Sequence, residues 1–259
     1  MPAELLTERI GSTLVLTLSD PATRNTLSHE LLAAGIEALS IAERDAEIRC
    51  VLMRGAGEHF CAGGNLQGLR ERRRAGPPAQ VEMLEHLNQF VEALRTCPKP
   101  VIAAVEGAAA GAGFSLALAC DLIVAAEDAR FILSYGRIGL SPDGGATWAL
   151  GHAVPHQRLQ QLVWLGEPVT AQQLLGWGIV ARVAGSGQAV GEALRLAERL
   201  AEMAPNALAS GKELVQRAAA RSLTGQLAAE RDHFVANLFH ENGAEGLASF
   251  FEKRAPKFS

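Results

Sequence analysis

The spacing of apolar positions divides the chain into a first part that alternates strands with helices and a last part that is helical. Thr13–Ser19 places Leu14, Leu16 and Leu18 on one side, the two-residue period of a half-buried strand. Turn chemistry follows at Pro21 and Asn25. From Ser28, which reads as an N-cap, Leu31, Leu32, Ile36, Leu39 and Ile41 recur at the spacing of an amphipathic helix. Cys50–Met53 predicts a short buried strand ending at Gly55. Residues 81–94 predict a second helix, and Val101–Val105 and Leu122–Ala125 two more buried strands. Strands separated by helical stretches predict an α/β architecture. From Val190 onward the pattern is helical without strand signals: Val190, Leu194, Ala197, Leu200 and Ala201, then 206–219, 223–238 and 244–251. The expected division is an α/β core over 1–195 and a helical region over 196–259. Between the first two helices, Arg70–Pro78 (RERRRAGPP) joins a charge cluster to Gly76, Pro77 and Pro78 and reads as a solvated loop.

Composition narrows the function classes. At 259 residues, 48% hydrophobic and 20% charged, the chain can bury a sizeable core. A net charge of −4 and a pI near 6.0 lack the basic excess that general nucleic-acid binding needs. The longest apolar run, 112–126, is broken by Gly113, Ser115 and Asp121, so no membrane span is predicted. The start, MPAELLTERIGS, has no basic segment followed by an apolar one and predicts no signal peptide. Cys50, Cys61, Cys97 and Cys120 lack paired spacing and read as reduced thiols packed as small apolar groups, which fits a cytoplasmic location. His152 and His156 flank Pro155 without a third ligand, and His233 and His240 mark one helix face, so no metal site is predicted. Trp148, Trp164 and Trp177 read as packing residues.

Two loops carry the candidate chemistry. His59–Leu66 (HFCAGGNL) follows a strand and ends where a helix can start, at Asn65. Glu106–Gly113 (EGAAAGAG) follows a buried strand and opens a run of apolar helix formers. Small residues let backbone N–H groups approach a ligand closely, and a helix N-terminus adds unpaired donors and positive dipole. Two such donors converging on one oxygen make an oxyanion hole. The second loop is not a dinucleotide fingerprint, because Leu116 stands where the third small residue belongs. No Gly-Lys-Ser/Thr follows, so it is not a P-loop either. Taken singly, each loop reads better as tight helix–strand packing.

Together, Phe60–Asn65, Pro100–Gly107 and Ala119–Ala125 resemble the signature of the enoyl-CoA hydratase/isomerase (crotonase) family, and the ending at Glu245–Leu247 and Phe251–Arg254 is similar to the family's tail. The resemblance implies a spiral of β-β-α turns with a C-terminal helical oligomerisation region, assembled as a homotrimer or a dimer of trimers. It implies an acyl-CoA thioester substrate, with coenzyme A as part of the substrate and no separate cofactor. By matching positions, the N–H groups of Ala62 and Ala112 would hold the thioester oxygen as an enolate forms. Arg24, Asn25, Thr26, Leu27 and the loop Ala62, Gly63, Gly64, Asn65, Leu66 would bind the coenzyme A portion with Gly111 and Ala112, and Phe251 and Lys253 would reach a neighbouring subunit's ligand.

The chain also departs from that pattern. The family's hydratases use two glutamates; Ser115 and Tyr135 stand at those places, and neither ionises readily near neutral pH. Gly139–Gly145 (GLSPDGG) instead resembles the segment of double-bond-shifting members in which one acid is the base, here Asp143, with Tyr135 lining the substrate site. Asp143 is expected to head a short helix whose dipole favours its ionised form; spacing alone reads it as a plain N-cap, the resemblance favours a catalytic role, and the two roles can coexist. Double-bond isomerisation by a single Asp is the leading expectation. Hydration or hydrolysis of an unusual enoyl- or ring-bearing acyl-CoA, attack by Asp143 on an aryl thioester as in related dehalogenases, and an inactive acyl-CoA-binding protein are the alternatives.

Overall fold

The protein is described from a computed structural model over residues 3–259. Met1 and Pro2, at the head of the expected 1–195 core and of the segment read as lacking a signal, lie outside the described residues.

Among the described residues nine strands form two sheets. In the six-stranded sheet β1 (Glu4–Ile10), β2 (Thr13–Ser19), β3 (Cys50–Gly55), β4 (Val101–Val105), β6 (Leu122–Ala126) and β9 (Arg182–Ala184) lie side by side in that order. Only β1 runs antiparallel to its neighbour; from β2 to β9 every pair is parallel. A second, three-stranded sheet holds β5 (Ala108–Ala110), β7 (Arg130–Ile132) and β8 (Val169–Thr170). Successive turns of chain give one strand to each sheet: β4 leads to β5, and β6 to β7. Earlier turns contribute single bridges to the second layer, Cys61 to Ala109 and Leu27 to Gly64. The result is a spiral whose second layer stacks the two loops next to each other.

Helix α1 (His29–Arg44) starts where Ser28 accepts a hydrogen bond from Leu31 N, the cap the sequence predicts. It packs on α3 (Pro77–Thr96), and Gly35 gives the room: a β-carbon there would lie 2.5 Å from the Phe90 ring. Ile41, expected on the apolar face, is exposed. Strand β2 is buried on both faces rather than one, because α1 and α8 (Ala189–Ala201) both contact it; its Thr17 hydroxyl accepts from Arg54 Nε at 3.1 Å. Position 195 lies inside α8, which packs across β3, β4 and β6.

Arg70–Pro78 is not a loop. Asn65 caps α2 (Leu66–Ala75) by accepting from Gly68 N at 3.0 Å, and α3 begins at Pro77 after Gly76, which takes φ +104°. Arginine and glutamate are good helix formers, and the basic residues sit in the last turn, where the dipole favours them. Trp148 and Trp164 are exposed rather than packed; the Trp148 ring lies under the Arg95 guanidinium at 4.4 Å. Beyond α8 come α9 (Pro205–Ala218), α10 (Leu223–Leu238) and α11 (Glu241–Glu252), of which α9 and α10 bury no residue within this chain. Among the described residues no helix is long and apolar enough to cross a membrane, and no three His, Cys, Asp or Glu side chains are grouped to hold a metal.

Candidate active site

Both loops open onto one cavity of about 700 Å³. Helix α4 (Ala112–Ala119) begins directly after β5, and its first-turn donors have no partner within the helix. Gly111, at φ +54°, makes the turn between them. Gly63 lets the first loop close on this helix end: at φ +88°, a β-carbon there would lie 2.6 Å from Ala110 O and 3.0 Å from Ala112 N. Gly113 fits as closely, 2.2 Å from Cys61 O by the same construction.

Hydrogen bonding decides which N–H of the first loop faces the cavity. The C=O and N–H of one trans peptide point in opposite directions. Cys61 C=O accepts from Ala110 N at 2.9 Å, so Ala62 N–H points the other way, onto Arg24 O at 2.9 Å. The expected donor Ala62 is therefore already engaged, although it lines the cavity. Gly63 C=O accepts from Leu27 N at 2.9 Å, which turns Gly64 N–H away from Leu27 and towards the side of β5 and α4. Among the described residues, neither Gly64 N nor Ala112 N has a hydrogen-bond acceptor. These two donors are left for a ligand in the cavity.

Arg24, Thr26, Leu27, Gly64, Asn65, Leu66, Gly111, Ala112, Tyr135 and Asp143 line the same cavity. Asn25 does not. It is fully buried, donates from Nδ2 to Ala56 O (2.9 Å) and His59 O (2.7 Å), and accepts from Asp20 N (3.0 Å), bracing the first loop from behind. Gly63 is buried in the wall. Phe251, 77% exposed, and Lys253, the left-handed cap of α11, lie outside this chain's cavity. Sequence reasoning did not single out Ser134, Ile138 or Leu140 as lining residues; they come from the irregular segment after β7, which has no periodicity to read. Met83, Leu84 and Leu87 of α3 add an apolar wall, and Arg72, its Nε bonded to Gln80 at 2.7 Å, adds a cation.

A family model described as enoyl-CoA hydratase/isomerase matches residues 8–259. The chain belongs to the enoyl-CoA hydratase/isomerase family. It is 36% identical to the 1,2-epoxyphenylacetyl-CoA isomerase of Escherichia coli K12, over 95% of this chain and 94% of that one. It is 35% identical to the same organism's 2,3-dehydroadipyl-CoA hydratase, over 99% and 98%. The crystal structure of an enoyl-CoA hydratase from Polaromonas sp. JS666 superposes with a TM-score of 0.98 at 53% identity, covering 99% of this chain and 100% of that one. The fold is thus the α/β crotonase fold of an acyl-CoA enzyme family that includes both isomerases and hydratases.

Among the described residues that line the cavity, Asp143 is the one carboxylate. A four-residue 3-10 turn at Tyr135–Ile138 and the return through Leu140–Pro142 bring Tyr135 Oη to donate to Asp143 Oδ1 at 2.7 Å. Ser115, on α4, donates from Oγ to the Asp143 carbonyl at 2.9 Å and fixes that backbone. Asp143 is neither a cap nor the head of a helix. Helix α5 (Ala146–Ala153) starts three residues later behind Gly145, with no side-chain cap bond. The expected dipole effect is also outweighed: burial raises the Asp143 carboxyl above the ordinary carboxylate range, against the lowering effect of the Tyr135 hydrogen bond. Burial, then the charge of Asp143, pushes the Tyr135 phenol up, so it stays a proton donor. Burial thus favours the protonated form of Asp143 over that of a freely solvated carboxyl.

Proposed function

We propose that this enzyme moves the double bond of an enoyl-CoA thioester. Gly64 N–H and Ala112 N–H hold the thioester oxygen, so that a proton on a carbon beside the conjugated system can leave and its electron pair spread into an enolate. Asp143 takes that proton and returns it at the other end of the three-carbon unit; the carbonyl reforms and the double bond has shifted. Arg24, Thr26, Leu27, Asn65 and Leu66 seat the coenzyme A portion. The observation that carries this reading is the single carboxylate in the cavity, which serves one proton carried between two carbons. Hydration by the two-glutamate route lacks its residues, since Ser115 and Tyr135 stand in their places.

Incubation with trans-2-, cis-3- and trans-3-enoyl-CoA thioesters in isotopically labelled water, read by mass spectrometry, tests it. Interconversion without solvent oxygen is expected; product carrying solvent oxygen overturns it. A ring-bearing acyl group is the second reading of the substrate, favoured by the relative named 1,2-epoxyphenylacetyl-CoA isomerase and by the apolar wall of Met83, Leu84 and Leu87. We also propose self-assembly as a trimer or dimer of trimers through the 196–259 region. Val215, Leu223, Phe234 and Phe239 are exposed there, and Phe251 and Lys253 would reach the ligand of a neighbouring copy.

A further inference from the structure

We infer that Tyr135 is a positioning residue for the base: its phenol pins one oxygen of Asp143, so that the other alone faces the cavity and carries the proton. This rests on the proton-shuttle reading above. The Tyr135 hydroxyl donates to Oδ1 at 2.7 Å, and among the described residues no other side chain donates to the carboxylate, whose one further hydrogen bond comes from Asp143's own backbone. Asp143 lines the cavity, so the oxygen that Tyr135 does not hold is the one left for a ligand there. The phenol is buried and its ring end sits against Gly111, where a β-carbon would lie 3.6 Å from Oη, so it has little freedom to turn elsewhere.

The two carboxylate oxygens therefore differ in role. Oδ2 accepts the proton from carbon; the C–H electron pair enters the enolate; the same Oδ2–H then protonates the distal carbon. Tyr135 keeps its own proton throughout, because burial and the neighbouring carboxylate both oppose its ionisation. It acts by making the ionised carboxylate the better hydrogen-bonded form. Arg24 and Arg72 are the charged groups besides Asp143 among the residues that line this cavity, and the causes that move the Asp143 carboxyl are burial, which raises it, and the hydrogen bonds of Tyr135 and its own backbone, which lower it.

Tyr135 is the only tyrosine in the sequence, which permits a test in both directions. Tyr135→Phe removes the donor and keeps the ring. Growth on 3-fluorotyrosine strengthens the donor at this position alone. A hydrogen bond to a charged group is worth roughly one to two decades in an equilibrium. In Tyr135→Phe the acid limb of kcat/KM should therefore move to higher pH, with about a ten- to hundredfold loss below the limb that shrinks towards native activity above it. In the fluorinated protein, which keeps a tyrosine-like side chain even if the Phe variant fails to fold, the limb should move to lower pH. A loss equal at every pH, or a fluorinated enzyme whose limb does not move or moves upward, overturns the inference and leaves Tyr135 a packing residue. Asp143→Asn separates the two claims. Full turnover in that variant overturns the proton-shuttle reading itself, whereas an inactive Asp143→Asn with an unmoved Tyr135→Phe limb overturns only the role of Tyr135.

Discussion

Gly63 and Gly64 are neighbours with opposite expected tolerance, and alanine at each tests how the proposed oxyanion site is built. At Gly63 a β-carbon meets Ala110 O at 2.6 Å and Ala112 N at 3.0 Å, and the residue sits at φ +88°. The left-handed conformation alone costs a side-chain-bearing residue about 1–2 kcal/mol. Relief of the backbone contact adds to that, for a loss of roughly 2–4 kcal/mol in all. A loss of that size lowers the melting temperature by roughly 4–16 °C in a chain of this length. Relief also means separating the first loop from the start of α4, which pulls the two free N–H groups out of register. Loss of one oxyanion donor costs about 10²–10³ in kcat. The donors tighten most as the enolate forms, so KM should change little. At Gly64 the nearest atom to a β-carbon is Leu69 Cδ1 at 3.8 Å, the backbone is not left-handed, and alanine keeps the N–H. Gly64→Ala should stay within a few fold of native kcat. Steady-state kinetics on the best enoyl-CoA substrate, with thermal melting alongside, separates the outcomes. Native kcat in Gly63→Ala, or equal damage from both substitutions, would refute the reasoning.

Three further outcomes follow from burial and pairing. The Asp143 carboxyl is raised by burial, so its contribution to stability is full below the ordinary carboxylate pKa of about 3.9 and is lost as pH rises through the raised value. Asp143→Asn, inactive in the proposed isomerisation, should thus be more stable than native to urea at pH 7 and lose that advantage near pH 4; a less stable variant at pH 7 contradicts the sign. Lys212, with its side chain 10% exposed, holds Asp121 Oδ2 (2.7 Å), Leu94 O (3.2 Å) and Lys99 O (3.3 Å), tying α9 to the end of α3 and to the segments entering β4 and β6. Lys212→Met should cost roughly 2–3 kcal/mol by leaving Asp121 unpaired, the low side for a broken ion pair because Asp121 is partly exposed; an unchanged urea midpoint would disprove it. Burial pushes the Cys50 and Cys61 thiols up to about 12 and raises Cys97 and Cys120 as well. All four should be silent to a thiol reagent at pH 8 in the native state and react after denaturation.

The sequence was legible where structure is local. Apolar runs at β2, β3, β4 and β6 predict strands because each buries its own residues, and Ser28 caps α1 by reaching only three residues along the chain. The short strands β5 and β7 are fixed by pairing with each other, through Ala108–Ala110 against Arg130–Ile132, and three alanines hold no strand signal until a partner is present. The same distinction runs through the site. The two glycine-rich loops stand out as loops, yet the inward N–H belongs to Gly64 rather than Ala62, because carbonyls of that loop are taken by Leu27 and Ala110, residues remote in sequence. Asp143 is recognisable as the acidic residue of its segment, and a nearby helix suggests a lowered pKa. Its ionisation is instead governed by what the folded wall excludes, water, and by Tyr135 across a turn. A local dipole can be inferred from spacing, whereas desolvation is a property of the assembled cavity. The sign of that shift, on which the proposed proton shuttle draws, therefore emerges only once the chain is folded.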